Sequence, residues 1–177
     1  MFIDLLRSRR SVRQFQERPV EQAKVDLIVE AALRSPSSRG FNPWEFVVVD
    51  NPEIIGRLSR AKPHGASFLA HAPLAVVVCA DPEKSDVWVE DVSIATTMLH
   101  LAATDLGLGS CWIQLRKRSY DDVTTAGDYA ARVLGLRQGL VVSAIMAIGY
   151  PVRQPEPHPE SSIQRDKVSV NRYGERE

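Results

Sequence analysis

The sequence predicts a mixed α/β layered fold built as one compact domain with a polar tail. Three observations carry this. Helix-like and strand-like segments alternate along the chain. Leu74 to Ala80 is a continuous apolar run of strand length, which implies burial on both faces. Val87 to Leu106 reads as a long helix, apolar almost all round from Val92 onward, so it belongs to the core or to an oligomer interface.

The elements follow in order. Phe2 to Arg7 reads as one or two helical turns with Phe2, Leu5 and Leu6 inward. Pro19-Val20-Glu21 opens a helix to about Leu33, with Val25, Ile28, Val29, Ala32 and Leu33 on one face. The breaker cluster from Ser35 to Gly40 ends it. Trp44 to Val49 is aromatic and β-branched, a strand. Asn51 caps a short helix to about Ser59 with Pro52 at its first position. Pro63, Gly65 and Pro73 leave room for at most a short helix around Ser67 to Ala70. Gly107 and Gly109 end the long helix, and Ser110 to Leu115 is a third strand. Asp121 to Leu134 reads as an amphipathic helix with Gly135 past its end, and Leu140 to Ile148 as a fourth strand. From Val152 the chain is polar and proline-rich, so this tail either is disordered or wraps a neighbour.

Composition narrows the function. Among 177 residues, 22 are Lys or Arg and 22 are Asp or Glu, so the formal net charge is zero. That balance argues against nucleic-acid binding through bulk positive charge. The two cysteines, Cys79 and Cys111, lie in apolar runs and read as buried small hydrophobes rather than a disulfide or metal framework. The four histidines have no metal-ligand spacing, and His100 on its apolar helix reads as a satisfied core residue. Neither a signal peptide nor a membrane span is read, and the expected location is the cytoplasm. There is no Gly-x-Gly-x-x-Gly after a strand, no Walker loop, no His-Glu-x-x-His and no Gly-x-Ser-x-Gly. An enzyme of this kind leaves the chemistry to a cofactor.

Three segments could hold one. Arg7-Ser8-Arg9-Arg10-Ser11-Val12-Arg13 concentrates four arginines and two serines, suited to phosphate oxygens; a solvated basic helix end is the competing reading. The loop Pro36-Ser37-Ser38-Arg39-Gly40-Phe41-Asn42-Pro43-Trp44 mixes hydroxyls, an amide and a guanidinium at the mouth of a strand, or is an ordinary connection. Gly109-Ser110-Cys111-Trp112-Ile113-Gln114 lies at a strand end, a favoured ligand position in open sheets, with Trp112 itself read as core.

Taken with Ala147-Ile148-Gly149-Tyr150-Pro151, these segments resemble, in order and spacing and over nearly the whole chain, the nitroreductase family of FMN flavoproteins. Asn171-Arg172-Tyr173 is similar to that family's tail. The resemblance implies an α+β nitroreductase-like fold, with a central mixed β-sheet flanked by helices. It implies a homodimer with FMN in each of two interface clefts. Residues 1–151 would form the FMN-binding domain. Residues 152–177 would embrace the partner and add an edge strand to it.

By the same resemblance, Arg9 and Ser11 hold the FMN phosphate and ribityl region, with Arg10 at that end. Arg13 approaches the pyrimidine side of the isoalloxazine. Pro36, Ser37 and Ser38 contact the flavin bound mainly by the other subunit. Ile113 and Gln114 line the ring, with backbone near its N5 edge, and Gly149 lies close to the phosphate. Lys62 and His64 fall where some relatives approach the flavin. The implied activity transfers hydride from NADH or NADPH through FMN to a nitroaromatic, quinone or similar acceptor by a ping-pong mechanism. No residue of the chain need act as nucleophile or general acid. A guanidinium at Arg13 would stabilise negative charge at N1 and O2; at ~4 Å and an effective dielectric of ~20 such a pair is worth roughly 4 kcal/mol before desolvation.

This chain departs from the family at several positions. Many members have asparagine where it has Gly40 and glutamine where it has Asn42. Others carry phosphate-binding arginines where it reads Gln154-Pro155-Glu156-Pro157-His158-Pro159-Glu160. That loss motivates an alternative, an FMN-binding sensor or carrier dimer with little turnover.

Overall fold

A computed structural model describes residues 1–175; Arg176 and Glu177, the end of the expected tail, lie outside the described residues. Helices and strands follow in the order α1 (Phe2–Ser8), α2 (Gln22–Leu33), β1 (Trp44–Val49), α3 (Pro52–Leu58), β2 (Leu74–Ala80), α4 (Trp88–Asp105), β3 (Gly109–Gln114), α5 (Ala126–Leu134) and β4 (Val141–Gly149). The sheet order is β1-β2-β4-β3.

The expected mixed sheet is antiparallel in all three of its strand pairs. The reason lies in the α4 crossover. It returns the chain as β3 parallel to β2, but β4 inserts between them and opposes both. Among the described residues, parallel pairing survives only as the isolated bridge Ser11↔Ser110.

β2 is buried along its whole length, as its sequence demands. Because successive side chains alternate faces, Ala75, Val77 and Cys79 join the core under α3 and α5, together with Ile145, Ala147 and Ile113. Leu74, Val76, Val78 and Ala80 join the opposite core under α2 and α4, with Met146, Ile148, Val25, Ile28, Val92 and Leu99. Each valine, leucine, isoleucine or methionine side chain among them contributes about 1.5–3 kcal/mol when taken out of water, so the sheet is costly to disturb.

Local chemistry sets the helix ends. The Asn51 side chain accepts from the Glu53 and Ile54 amides, as expected of a cap ahead of Pro52. α5 begins five residues later than its apolar pattern suggests. Asp121 Oδ1 accepts from the amides of Val123 and Thr124, which turns the chain, and Thr125 takes the cap position by accepting from Asp128 N. Those amides hold the Asp121 carboxyl below the usual range.

Two packing expectations fail. α1 buries none of its residues, and Phe2 and Leu6 remain exposed. α1 lies on the outside of α4, so its apolar side has no core of its own chain to enter. Leu33 is likewise exposed, because α2 ends there and the chain turns away. In the tail, two short 3-10 turns, Glu160–Ser162 and Arg165–Lys167, are the only helical pieces among the described residues, and Ile163 and Val168 are exposed.

Candidate active site

The basic segment follows α1. Arg7 pairs with Asp4 at 3.0 Å, so one of its four arginines is spent on the helix itself. Arg9 ends the helix, its amide donating to Leu5 O, and the backbone then runs extended. Ser11 bridges Ser110, and Val12 N donates to Ser110 O at 2.9 Å. Further on Phe15 bridges Pro151, and Gln16 N donates to Tyr150 O at 2.8 Å. The segment therefore lies along the β3 edge and past the end of β4.

Two glycines make that fit possible. A Cβ on Gly109 would stand 2.7 Å from Val12 Cβ, and one on Gly149 would stand 2.6 Å from Pro73 Cδ and 3.0 Å from Phe15. The sequence presents Gly109 as a helix stop; its tighter constraint is the close approach of Val12. Gly149 faces Gly109 across the β3–β4 pair and is buried by Pro73 and Phe15.

Ser11, Arg13, Lys62 and Cys111 meet at one place. Burial raises the Cys111 thiol, while the Arg13 charge, the Ser11 hydroxyl and the Lys62 charge pull it back down. Burial lowers the Lys62 ammonium, and Arg118 nearby lowers it further. Arg13 also stands over the Phe68 ring, 5.9 Å from its centroid. Among the described residues no carboxylate forms an ion pair with Arg9, Arg10, Arg13, Lys62 or Arg118. His64 is exposed in the turn beside Lys62.

Beyond Ser110, the outer edge of β3 has no strand partner among the described residues. Val12 takes the Ser110 carbonyl on this outer side, whereas Leu115 N points the other way, to Ser143 O. By alternation the backbone groups of Trp112 and Gln114 face outward, and those of Cys111 and Ile113 face β4. The Ile113 side chain is wholly buried in the core. The Gln114 side chain is turned along its own strand, accepting from Trp112 Nε1 at 2.9 Å and donating to Arg116 O at 3.1 Å. What this strand offers a ligand is thus backbone. A cavity of about 450 Å³ opens beside Arg13, lined also by Phe15, His71, Pro73 and Val152, but it does not extend to Ser11, Cys111 or Gln114. Arg9, Arg10, Ser11 and Lys62 are half-buried, and Arg13 is exposed.

Pro36, Ser37 and Ser38 lie elsewhere. Ser37 Oγ donates to Asn42 Oδ1 and accepts from Asn42 N, closing a loop in which Arg39, Gly40 and Asn42 all have positive φ. Ser38 N donates at 2.8 Å to Asp91 in the first turn of α4, and Asp91 also accepts from Ser85 Oγ. Arg9, in contrast, reaches His100, nine residues further along the same helix. At 1.5 Å per residue the two groups are separated by roughly 13 Å along α4. The connections through Asp91 and His100 escaped the sequence reading, because neither residue carries a local signal for so distant a partner.

Comparison with known proteins identifies the fold and the family. The sequence pattern of the Nitroreductase family matches residues 6–63 and 58–150. The chain is similar to an FMN-dependent nitroreductase from Clostridium difficile R20291, with 44% identity, a TM-score of 0.95, and coverage of 97% of this chain and 99% of that one. It is 35% identical over 153 residues, 84% of each chain, to a "Putative NADH dehydrogenase/NAD(P)H nitroreductase" of Archaeoglobus fulgidus. The NADPH:FMN oxidoreductase of Vibrio harveyi complexed with NAD+ shares the fold, with a TM-score of 0.82 over 99% of this chain and 79% of that one at 23% identity. Among the described residues no cluster could hold a metal ion, and no helix is long and apolar enough to cross a membrane. The chain belongs to the nitroreductase family.

Proposed function

We propose that the chain is an FMN-dependent oxidoreductase that passes hydride from NADH or NADPH to a nitroaromatic, quinone or similar acceptor, the two substrates using one site in turn. The observation that carries this is the group of arginines from Arg9 to Arg13, held without carboxylate partners beside an open strand edge in a chain of zero net charge. The residues present fit FMN. Arg9, Arg10 and Ser11 form a donor set for a phosphate of nearly two negative charges. Arg13 and Lys62 supply positive charge for an electron-accepting ring, and the outward backbone of Trp112 and Gln114 supplies hydrogen-bonding groups along its rim.

FMN bound there supplies two-electron hydride chemistry to both substrates. The chain binds and orients it, and keeps its own titrating groups out of the reaction: burial holds Cys111 in its thiol form. Arg13 favours negative charge on the bound ring and so the electron-rich side of the equilibrium.

The working unit is a homodimer. Phe2, Ile3 and Leu6 of α1, Leu27 and Leu33 of α2, and Ile94 of α4 are large exposed apolar side chains, more than a monomer's surface requires. The separation of Pro36–Ser38 from Arg9 along α4 favours two half-sites, each completed by the other subunit. Residues 152–177 then serve as an arm on the partner rather than as part of the 1–151 domain. Gly149 belongs to this reading as a neighbour of the phosphate end through Gly109 and Ser110.

Absorption spectroscopy of purified protein given excess FMN tests the reading. A retained flavin that NADH or NADPH bleaches, with steady turnover on menadione or nitrofurazone, is expected. A protein that retains no flavin overturns it, and a bound flavin without turnover leaves a flavin-binding sensor or carrier. Deletion after Pro151 should weaken the dimer in sedimentation; an unchanged dimer at low concentration removes the arm.

A further inference from the structure

His100 is the one buried imidazole of the chain, 9% exposed in the middle of α4, and the chemistry proposed above makes no use of it. Its surroundings are specific. Arg9 Nη1 lies 2.9 Å from His100 Nε2, and His100 Nδ1 is hydrogen-bonded to Ser110 Oγ. Thr104 Oγ1 donates to the His100 carbonyl at 2.9 Å.

The protonation state follows from the partners. A guanidinium has donors only, so His100 Nε2 must be the acceptor and cannot carry a proton. The ring is then neutral, with its hydrogen on Nδ1 and donated to Ser110. Burial, helped by the Arg9 charge, lowers the imidazole to about 4 and keeps it neutral near pH 7. Ser110 is also the residue whose carbonyl receives Val12 N. One side chain thus ties the Arg9 head, α4 and the start of β3 together.

A neutral acceptor here differs in kind from a carboxylate. Asp or Glu would orient Arg9 equally well but would cancel the charge that an anion must find. The imidazole fixes one edge of the guanidinium and leaves its remaining donors and its full charge for a ligand.

We propose that His100 is the positioning residue of the phosphate subsite, aiming Arg9 without discharging it. The proposal rests on the flavin reading above and deepens it. It makes a distinction a purely structural role would not: FMN carries the phosphate and riboflavin does not, so loss of the Arg9 aim should weaken the first and spare the second.

The experiment titrates apo-protein with FMN and with riboflavin by flavin fluorescence quenching, for the wild type, His100→Leu and His100→Gln. In His100→Leu the FMN Kd should rise about tenfold with the riboflavin Kd unchanged. In His100→Gln, whose amide oxygen can accept from Arg9, FMN affinity should return toward wild type. Equal weakening of both flavins, or of neither, overturns the role of His100. Wild-type protein that binds neither flavin overturns the flavin reading itself. Should His100→Leu fail to fold, nitrogen NMR of histidine-labelled wild type decides. The neutral Nδ1–H tautomer at pH 7 is expected, and a protonated or Nε2–H ring overturns the pairing with Arg9.

Discussion

Two arginine neighbourhoods in this chain are built on opposite terms. Arg137, after α5, reaches the β1 edge, where its Nη2 lies 2.8 Å from Glu45 and 3.0 Å from Asp81. Hydrogen bonds to both carboxylates raise the Arg137 guanidinium further and lower Asp81. Arg9 and Arg13 have instead a neutral imidazole and the Phe68 ring. Acids were not scarce, since the chain carries 22 of them. Charge the fold consumes is compensated within the fold; charge left without a carboxylate among the described residues is what the flavin reading proposed above would use.

Acid should separate the two neighbourhoods most strongly. The His100 pKa falls from 6.5 in the unfolded chain to about 4 in the fold, so between these values the unfolded chain binds more protons. The stability His100 contributes is therefore complete above pH 6.5 and is lost as pH falls toward 4, by roughly 3 kcal/mol over the full window. The Arg137–Asp81 pair should be indifferent there, because Asp81 titrates below the usual carboxylate range. Urea unfolding from pH 7 to 4.5 should show the slope, and His100→Gln should flatten it. A flat wild-type profile contradicts a buried neutral imidazole.

Next in size is Arg9→Ala, expected to raise the FMN Kd about a hundredfold, or ~2.7 kcal/mol. Arg137→Ala should leave that Kd unchanged; equal losses in both variants would erase the distinction between the two neighbourhoods. Gly109→Ala follows. Its Cβ would meet Val12 at 2.7 Å and push the basic segment off β3, with an expected cost of about 1–3 kcal/mol in thermal unfolding and weaker flavin retention. Normal flavin retention would show that the segment can shift without harm. Arg13→Ala should move the midpoint of the bound flavin about 30 mV more negative, ~1.4 kcal/mol for two electrons. An unchanged midpoint in a redox titration removes the role given to Arg13. The smallest effect is Arg137→Ala on stability itself. Its guanidinium is itself exposed, so losing its two ion pairs should move Tm little, and that little should shrink in high salt.

Much of this arrangement was legible in the residues, for physical reasons that differ by element. β1 and β2 were plain because an apolar, β-branched run has few alternatives. α3 was plain because Asn51-Pro52 is a complete local cap. The start of α5 was obscured, since Asp121 and Thr125 compete for the same turn and only backbone geometry decides. The inward placement of Phe2, Leu6 and Leu33 failed because periodicity identifies an apolar face without saying whose core receives it. The antiparallel sheet was hidden by β4 arriving last in sequence yet lying between β2 and β3 in the sheet. At the site, Arg9 to Arg13 could be found by charge density, and the nitroreductase motifs by order. Lys62 beside Cys111, Asp91 beneath Ser38 and His100 behind Arg9 could not, because each is defined by a partner dozens of residues away.

The bridges of the basic segment bear on the order in which the chain assembles. Val12 docks on Ser110, Gln16 on Tyr150, and Val152 returns to Gln14. Each of these contacts joins this segment to a residue far along the chain, Ser110 in β3 or Tyr150 and Val152 past β4. Closing such long loops is slow relative to forming local structure. The basic segment is therefore fully placed only once α4, β3 and the Gly149-Tyr150-Pro151 turn are in position to receive it. An anion bound at the proposed site would stabilise only the state in which the segment is docked. Amide exchange should reveal the same order in reverse, with the Val12 and Gln16 amides opening before those of β2.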